Sequence, residues 1–169
     1  MKLGKLVKWS FAGAVLLAAC VAVGVAMAQD TPDKGTSGIK FAGKGTLDVT
    51  GTTVTGSVTV TKPSIEGLGT GEVSGDFARG TCTVTHKKEC CPFTSTETYS
   101  FSGGDLYVTL AGTACGKKQT KVTAKKVSFD INGGTGDFSG AEGSGTASFN
   151  FNLDTGAGTF KFSGTASAL

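Results

Sequence analysis

The chain has 169 residues, 27 of them glycine, and a formal net charge of +3. That length supports one domain with its own core once an export signal is removed. Lys2, Lys5 and Lys8 leave with the signal, so 13 basic residues then balance 13 acidic ones, and a neutral protein has no global field with which to gather nucleic acid.

Residues 1–28 read as an export signal with a signal helix. Lys2, Lys5 and Lys8 form its basic start, Phe11 to Val25 its apolar run, and Ala26-Met27-Ala28 a small-x-small cleavage site that leaves Gln29 first. Leu17-Ala18-Ala19-Cys20 resembles a bacterial lipobox, which makes Cys20 a candidate lipidation site and the one route to a membrane. Cleavage after Ala28 is the favoured reading, because Val21 to Ala28 stays apolar beyond the cysteine. Residues 29–38 are polar with Pro32 and two glycines, a flexible leader.

From Ile39 to Leu169 the pattern is strand and turn. Phe41 opens a first strand, and Leu47 and Val49 belong to a second, followed by a turn at Gly51-Thr52. Val54, Gly56, Val58 and Val60 alternate with threonine and serine, the mark of a strand with one dry face. Lys62 to Gly71 reads as a loop, and Val73, Gly75 and Phe77 as the inward face of the next strand. Cys82 and Val84 share a face, and His86 to Pro92 reads as a tip or loop. Phe93, Ser95, Glu97, Tyr99 and Phe101 share the following face, opposite Thr94, Thr96 and Thr98. A turn at Ser102–Asp105 leads to Leu106, Val108 and Leu110, and Gly112 to Gln119 reads as a loop carrying Cys115.

Val122 and Ala124 alternate in one phase, and Val127, Phe129 and Ile131 in the other, so a β-bulge is expected at Lys125-Lys126. Ala147, Phe149, Phe151 and Leu153 form one more dry face, and Phe160 and Phe162 point inward from the last strand. Between these arms lies a glycine-rich crossing with one large apolar residue, Phe138, read as a plug over the end of the sheet. The count is eight to ten strands with short connections and no helical window after the signal. Closing such a sheet into a barrel hides the edges that a Gly/Thr-rich open sheet would expose. The mature part has no Trp and only two Tyr, which argues against an outer-membrane barrel with aromatic girdles.

Four cysteines remain after the signal: Cys82, Cys90, Cys91 and Cys115. Export places them in an oxidising compartment, periplasmic or extracellular, where disulfides are the default. A vicinal Cys90–Cys91 bond strains the backbone. Two pairings are left: Cys82–Cys90 with Cys91–Cys115, or Cys82–Cys91 with Cys90–Cys115. A zinc site from these thiols and His86 lacks the usual Cys-x2-Cys spacing, so no metal or other cofactor is expected.

His86 is the one histidine. If its strand neighbours that of Glu97 and Tyr99, the three converge at one barrel mouth, where a His–carboxylate pair can move a proton or orient a ligand. The plainer reading puts His86 at the exposed Lys87-Lys88 tip and pairs Glu97 with a lysine, since no nucleophile or oxyanion donor is in view. The outward threonine rows read as solvated strand faces rather than a flat lattice-binding array, because barrels twist. Lys117, Lys118, Lys121, Lys125 and Lys126 form a basic stretch without interleaved aromatics, so stacking on bases is unsupported and a charged strand edge is the simpler role.

Gly133-Gly134-Thr135-Gly136-Asp137-Phe138-Ser139-Gly140-Ala141-Glu142-Gly143 resembles the GGTG-x-aromatic-x-GA-x-G signature of the allene oxide cyclase barrel-like and dirigent-like proteins. The resemblance implies a small closed antiparallel barrel of about eight strands, calycin-like in shape, and carries no catalytic residue onto this chain. The expectation is an all-β, exported, non-catalytic barrel that binds a small apolar ligand in its lumen. The alternatives are a cyclase- or isomerase-like enzyme and a structural protein of the cell envelope.

Overall fold

The structure is a computed structural model and describes residues 38–85, 88–116 and 120–169. The expected signal, its helix, the leader, Cys20 and His86 lie outside the described residues. Among the described residues nine strands follow one another: β1 (Ile39–Thr50), β2 (Thr53–Lys62), β3 (Thr70–Arg79), β4 (Thr83–Thr85), β5 (Lys88–Phe101), β6 (Gly104–Gly116), β7 (Lys121–Gly134), β8 (Glu142–Asn152) and β9 (Ala157–Ser167). Among the described residues the one helical element is a 3-10 turn at Gly136–Phe138.

The sheet runs β3-β2-β1-β9-β8-β7-β6-β5, and β3 pairs back onto β5, so eight antiparallel strands close on themselves. β4 is the odd one out: it pairs with the first residues of β5, outside the closed ring. Strand β5 therefore has two partners on one side, β4 for Lys88 to Cys90 and β3 for Phe93 to Ser100. Pro92 stands at that changeover, where the ladder is already interrupted and a missing N–H costs little; its carbonyl accepts from Gly80 N at 2.8 Å. An edge of three residues offers little to another chain.

Three segments expected as breaks are continuous strand. β1 is one element and not two, β5 starts at Lys88 and takes in Glu89 to Pro92, and β6 runs through Gly112 to Gly116. In β1 and β6 the misleading signal is glycine. Gly43 pairs with Phe162, Gly45 with Phe160, Gly145 with Phe129 and Gly158 with Phe151 across neighbouring strands. A Cβ built on any of the four would meet the ring of its phenylalanine partner. These glycines are inward-facing positions that let a ring lie across the adjacent backbone, a pairing that also lets a small barrel curve tightly.

The rings so placed form a connected row through the barrel. Phe77 meets Phe93, Phe93 meets Phe149, Phe149 stacks on Phe160, and Phe160 on Phe162, with centroids 5.6–6.3 Å apart. Such offset and edge contacts add to the plain burial of each ring. The expected bulge is present: the β7–β8 register shifts between Ala124 and Val127, and Lys126 takes φ 55. Val127, fully buried, restarts the inward phase. Leu153 departs from the expected dry face, being 53% exposed in the turn after β8.

One end of the barrel is sealed. Three segments meet there: the β2–β3 loop, the β5–β6 turn and the 3-10 turn. Asp137 N donates to Gly103 O at 2.9 Å, Thr135 N to Asp105 O at 2.9 Å, and Gly103 N to Gly67 O at 3.2 Å. Gly136, at φ 58, sits against Gly103 O, and a side chain there would be both strained and blocked. These ties hold Phe138 over the lumen, wholly buried and edge-on to Phe101 with centroids 6.1 Å apart. Leu68, from the loop before β3, is buried beside the same core. The plug expected from the glycine-rich crossing is thus the floor of a closed end.

Candidate functional site

The two halves of the lumen differ. Toward the sealed end, Phe41, Tyr99, Ile131, Phe160 and Phe162 pack until only about 20 Å³ of space remains. Toward the other end, where Gly51, Gly116 and Gly156 lie, a cavity of about 880 Å³ opens. Its walls are mostly apolar, with Val54, Phe77, Phe93, Phe149 and Phe151 among the side chains that line it. Cavities of this size take a small organic molecule. Leu110 lines both spaces and marks the boundary.

The polar groups lie at two levels. At the rim are Arg79, Glu89 and Asn152. At the floor are Ser95 and Glu97, both inward-facing on β5 and both buried, Glu97 to 4% exposure. Period two on the strand places them on one face. Gly75, the direct partner of Glu97 on β3, leaves room for the glutamate stem.

Ser95 Oγ lies 2.8 Å from Glu97 Oε1 and 3.0 Å from the carbonyl of Asp76. A hydroxyl has one proton, and the Asp76 carbonyl can only accept. With a neutral Glu97, Oε1–H donates to Ser95 Oγ and Ser95 donates to Asp76 O, so each bond is made. With an ionised Glu97, two acceptors share one proton. In both cases Glu97 Oε2 is a buried acceptor with no hydrogen-bond partner. Burial pushes the Glu97 carboxyl above its ordinary 4.5, against a smaller opposite pull from the hydroxyls of Ser95 and Tyr99. Tyr99, next on the same face, is pushed well above 10 by burial and then by the neighbouring Glu97.

Of the three residues that the sequence offered as a mouth cluster, Glu97 and Tyr99 are neighbours, but Tyr99 packs into the filled half while Glu97 lines the cavity. Ser95, absent from that set, completes the polar floor. Its spacing of two from Glu97 on a strand was the available signal.

The disulfides are Cys82–Cys91 and Cys90–Cys115, each with Cα atoms 4.1 Å apart. The strand explains the choice between the two pairings. Cys90 and Cys91 sit on opposite faces of β5, so each needs a partner whose side chain lies on its own face. Cys115 is directly across from Cys90 on β6, and Cys82 continues the β4–β5 register to Cys91. Cys91 lines the cavity near its rim. Cys82, Cys91 and Glu89 cluster within 4.8 Å, but with both sulfurs bonded to each other the group offers one carboxylate and no thiolate. Disulfides are compatible with an oxidising compartment outside the cytoplasm.

Comparison of the chain with protein-family models, curated proteins and solved structures found no match.

Proposed function

We propose that this chain is an exported, non-catalytic barrel that holds a small apolar molecule in the open half of its lumen. The observation that carries the reading is the contrast between the halves: one packed solid by phenylalanines, the other left as a cavity of about 880 Å³ with aromatic and aliphatic walls. A protein built for shape alone gains nothing from an unfilled half, since empty apolar volume forfeits packing. The basic apolar signal and the paired cysteines support export, and the Gly133–Gly143 resemblance supports a calycin-like ligand barrel.

The test is titration with a neutral fluorescent dye such as Nile red. Wild type is expected to bind it saturably with a blue-shifted emission. Ala114→Trp, which fills the cavity beside Cys91, is expected to weaken binding more than tenfold. Absence of saturable binding by wild type refutes the reading and favours a structural envelope role.

A second reading, a cyclase- or isomerase-like enzyme of the allene oxide cyclase-like type, draws on one observation: a buried carboxyl with a raised pKa at a cavity floor. It predicts conversion of an unsaturated apolar substrate that Glu97→Gln abolishes while dye binding persists.

A further inference from the structure

We infer that the ligand is an amphipathic molecule that enters with its hydrogen-bond donor, a hydroxyl or amine, leading, and that Glu97 at the cavity floor is the group that selects it. The inference rests on the ligand-binding reading above and adds which end of the molecule goes in first.

The argument is one of satisfaction. Glu97 is buried at 4% exposure, and its Oε2 has no partner. Each buried polar atom left unmatched destabilises the fold, so one at a cavity floor marks a place where something else completes the bond. Ser95 cannot do so, because it is engaged with Oε1 and the Asp76 carbonyl, and the Tyr99 hydroxyl, which pulls on the same carboxyl, makes no hydrogen bond to Oε2. Proton bookkeeping makes the missing partner a donor. When Glu97 is ionised both oxygens accept, and when Oε1 carries the proton Oε2 still accepts.

The rest of the cavity fits the same orientation. Above the floor, Phe77, Phe93, Phe149 and Phe151 offer no polar group, so an apolar body is accommodated there. Arg79, Glu89 and Asn152 are farther out, at the rim. A purely hydrocarbon ligand would cover Glu97 and leave Oε2 unmatched. A site built around a hydrogen bond discriminates strongly against ligands that lack the matching group.

The experiment displaces Nile red from the disulfide-intact protein with three ligands of matched length: decan-1-ol, decyl methyl ether and decane. The alcohol donates, the ether only accepts, and the alkane does neither. Wild type is expected to bind the alcohol about tenfold more tightly than the ether, the scale of one buried hydrogen bond. Glu97→Leu is expected to bring alcohol and ether level and to improve binding of the alkane. A carboxyl infrared band from isotope-labelled glutamate should shift on adding the alcohol and stay put on adding the ether. That readout needs no variant and serves if E97L does not fold.

Equal binding of alcohol and ether by wild type overturns the inference while leaving the cavity reading in place. A preference that survives in E97L removes Glu97 from the role. Failure of the dye and of all three ligands to bind overturns both.

Discussion

Substituting Gly112 tests the account of the glycines most directly. Gly112 lies on β6 opposite Phe93, and a Cβ there would come within 2.8 Å of Val127 Cγ2 and 3.2 Å of its Cβ and Cγ1. The three nearest atoms all belong to one side chain, Val127, which is fully buried and begins the inward phase after the bulge. Gly112→Ala should therefore overpack the core and cost about 1–3 kcal/mol. Val127→Ala removes two methyl groups, roughly 2 kcal/mol once the residual void is counted. In the double variant the methyl added by Gly112→Ala occupies part of the space that Val127 vacates. The combined loss should fall short of the sum by about 1 kcal/mol, within the range of coupled neighbours. Urea unfolding followed by far-UV circular dichroism, with disulfides intact and m-values compared, gives the three differences. Strict additivity, or a Gly112→Ala protein as stable as wild type, would refute the claim that glycine is retained there for space.

Two further outcomes follow from the geometry. Replacing Cys90 and Cys115 by serine should cost more than replacing Cys82 and Cys91, about 3.5 against about 2.6 kcal/mol, because the loops closed span 25 and 9 residues. Non-reducing peptide maps should link Cys82 to Cys91 and Cys90 to Cys115, and a Cys82–Cys90 peptide would contradict the register of β5. The Glu97 carboxyl is pushed up in the folded state, so the native protein binds a proton that the unfolded chain has released. Its stabilising share is present at pH below the ordinary 4.5 and is lost as pH rises through the folded value. Melting temperatures across that window should fall for wild type relative to Glu97→Gln, and parallel pH profiles would show that Glu97 is not buried as described.

Much of the barrel is legible in the chain because β-strands write their burial with period two. The inward sets on β2, β5, β7 and β9, the bulge at Lys125-Lys126 and the role of Phe138 all follow from alternation and its interruptions. The same rule put Glu97 and Tyr99 on one face, but strand phase says nothing of height along the barrel. Height is what sends Tyr99 into the packed half and Glu97 to the cavity floor.

Glycine marks the limit of reading from sequence. In one dimension Gly43, Gly45 and Gly112 look like Gly51, and a strand looks broken wherever they occur. Only pairing across strands shows that they face a phenylalanine or valine from a neighbour far away in the chain. Cysteine pairing has the same character: alternation separates Cys90 from Cys91, and two solutions survive until the β4–β5 and β5–β6 registers choose between them. Period and phase slips, and hence an all-β chain with one dry face, are written in the order of the residues. Closure of the ring, the cavity and the unmatched oxygen at its floor were decided by tertiary structure, because each depends on which distant strands become neighbours.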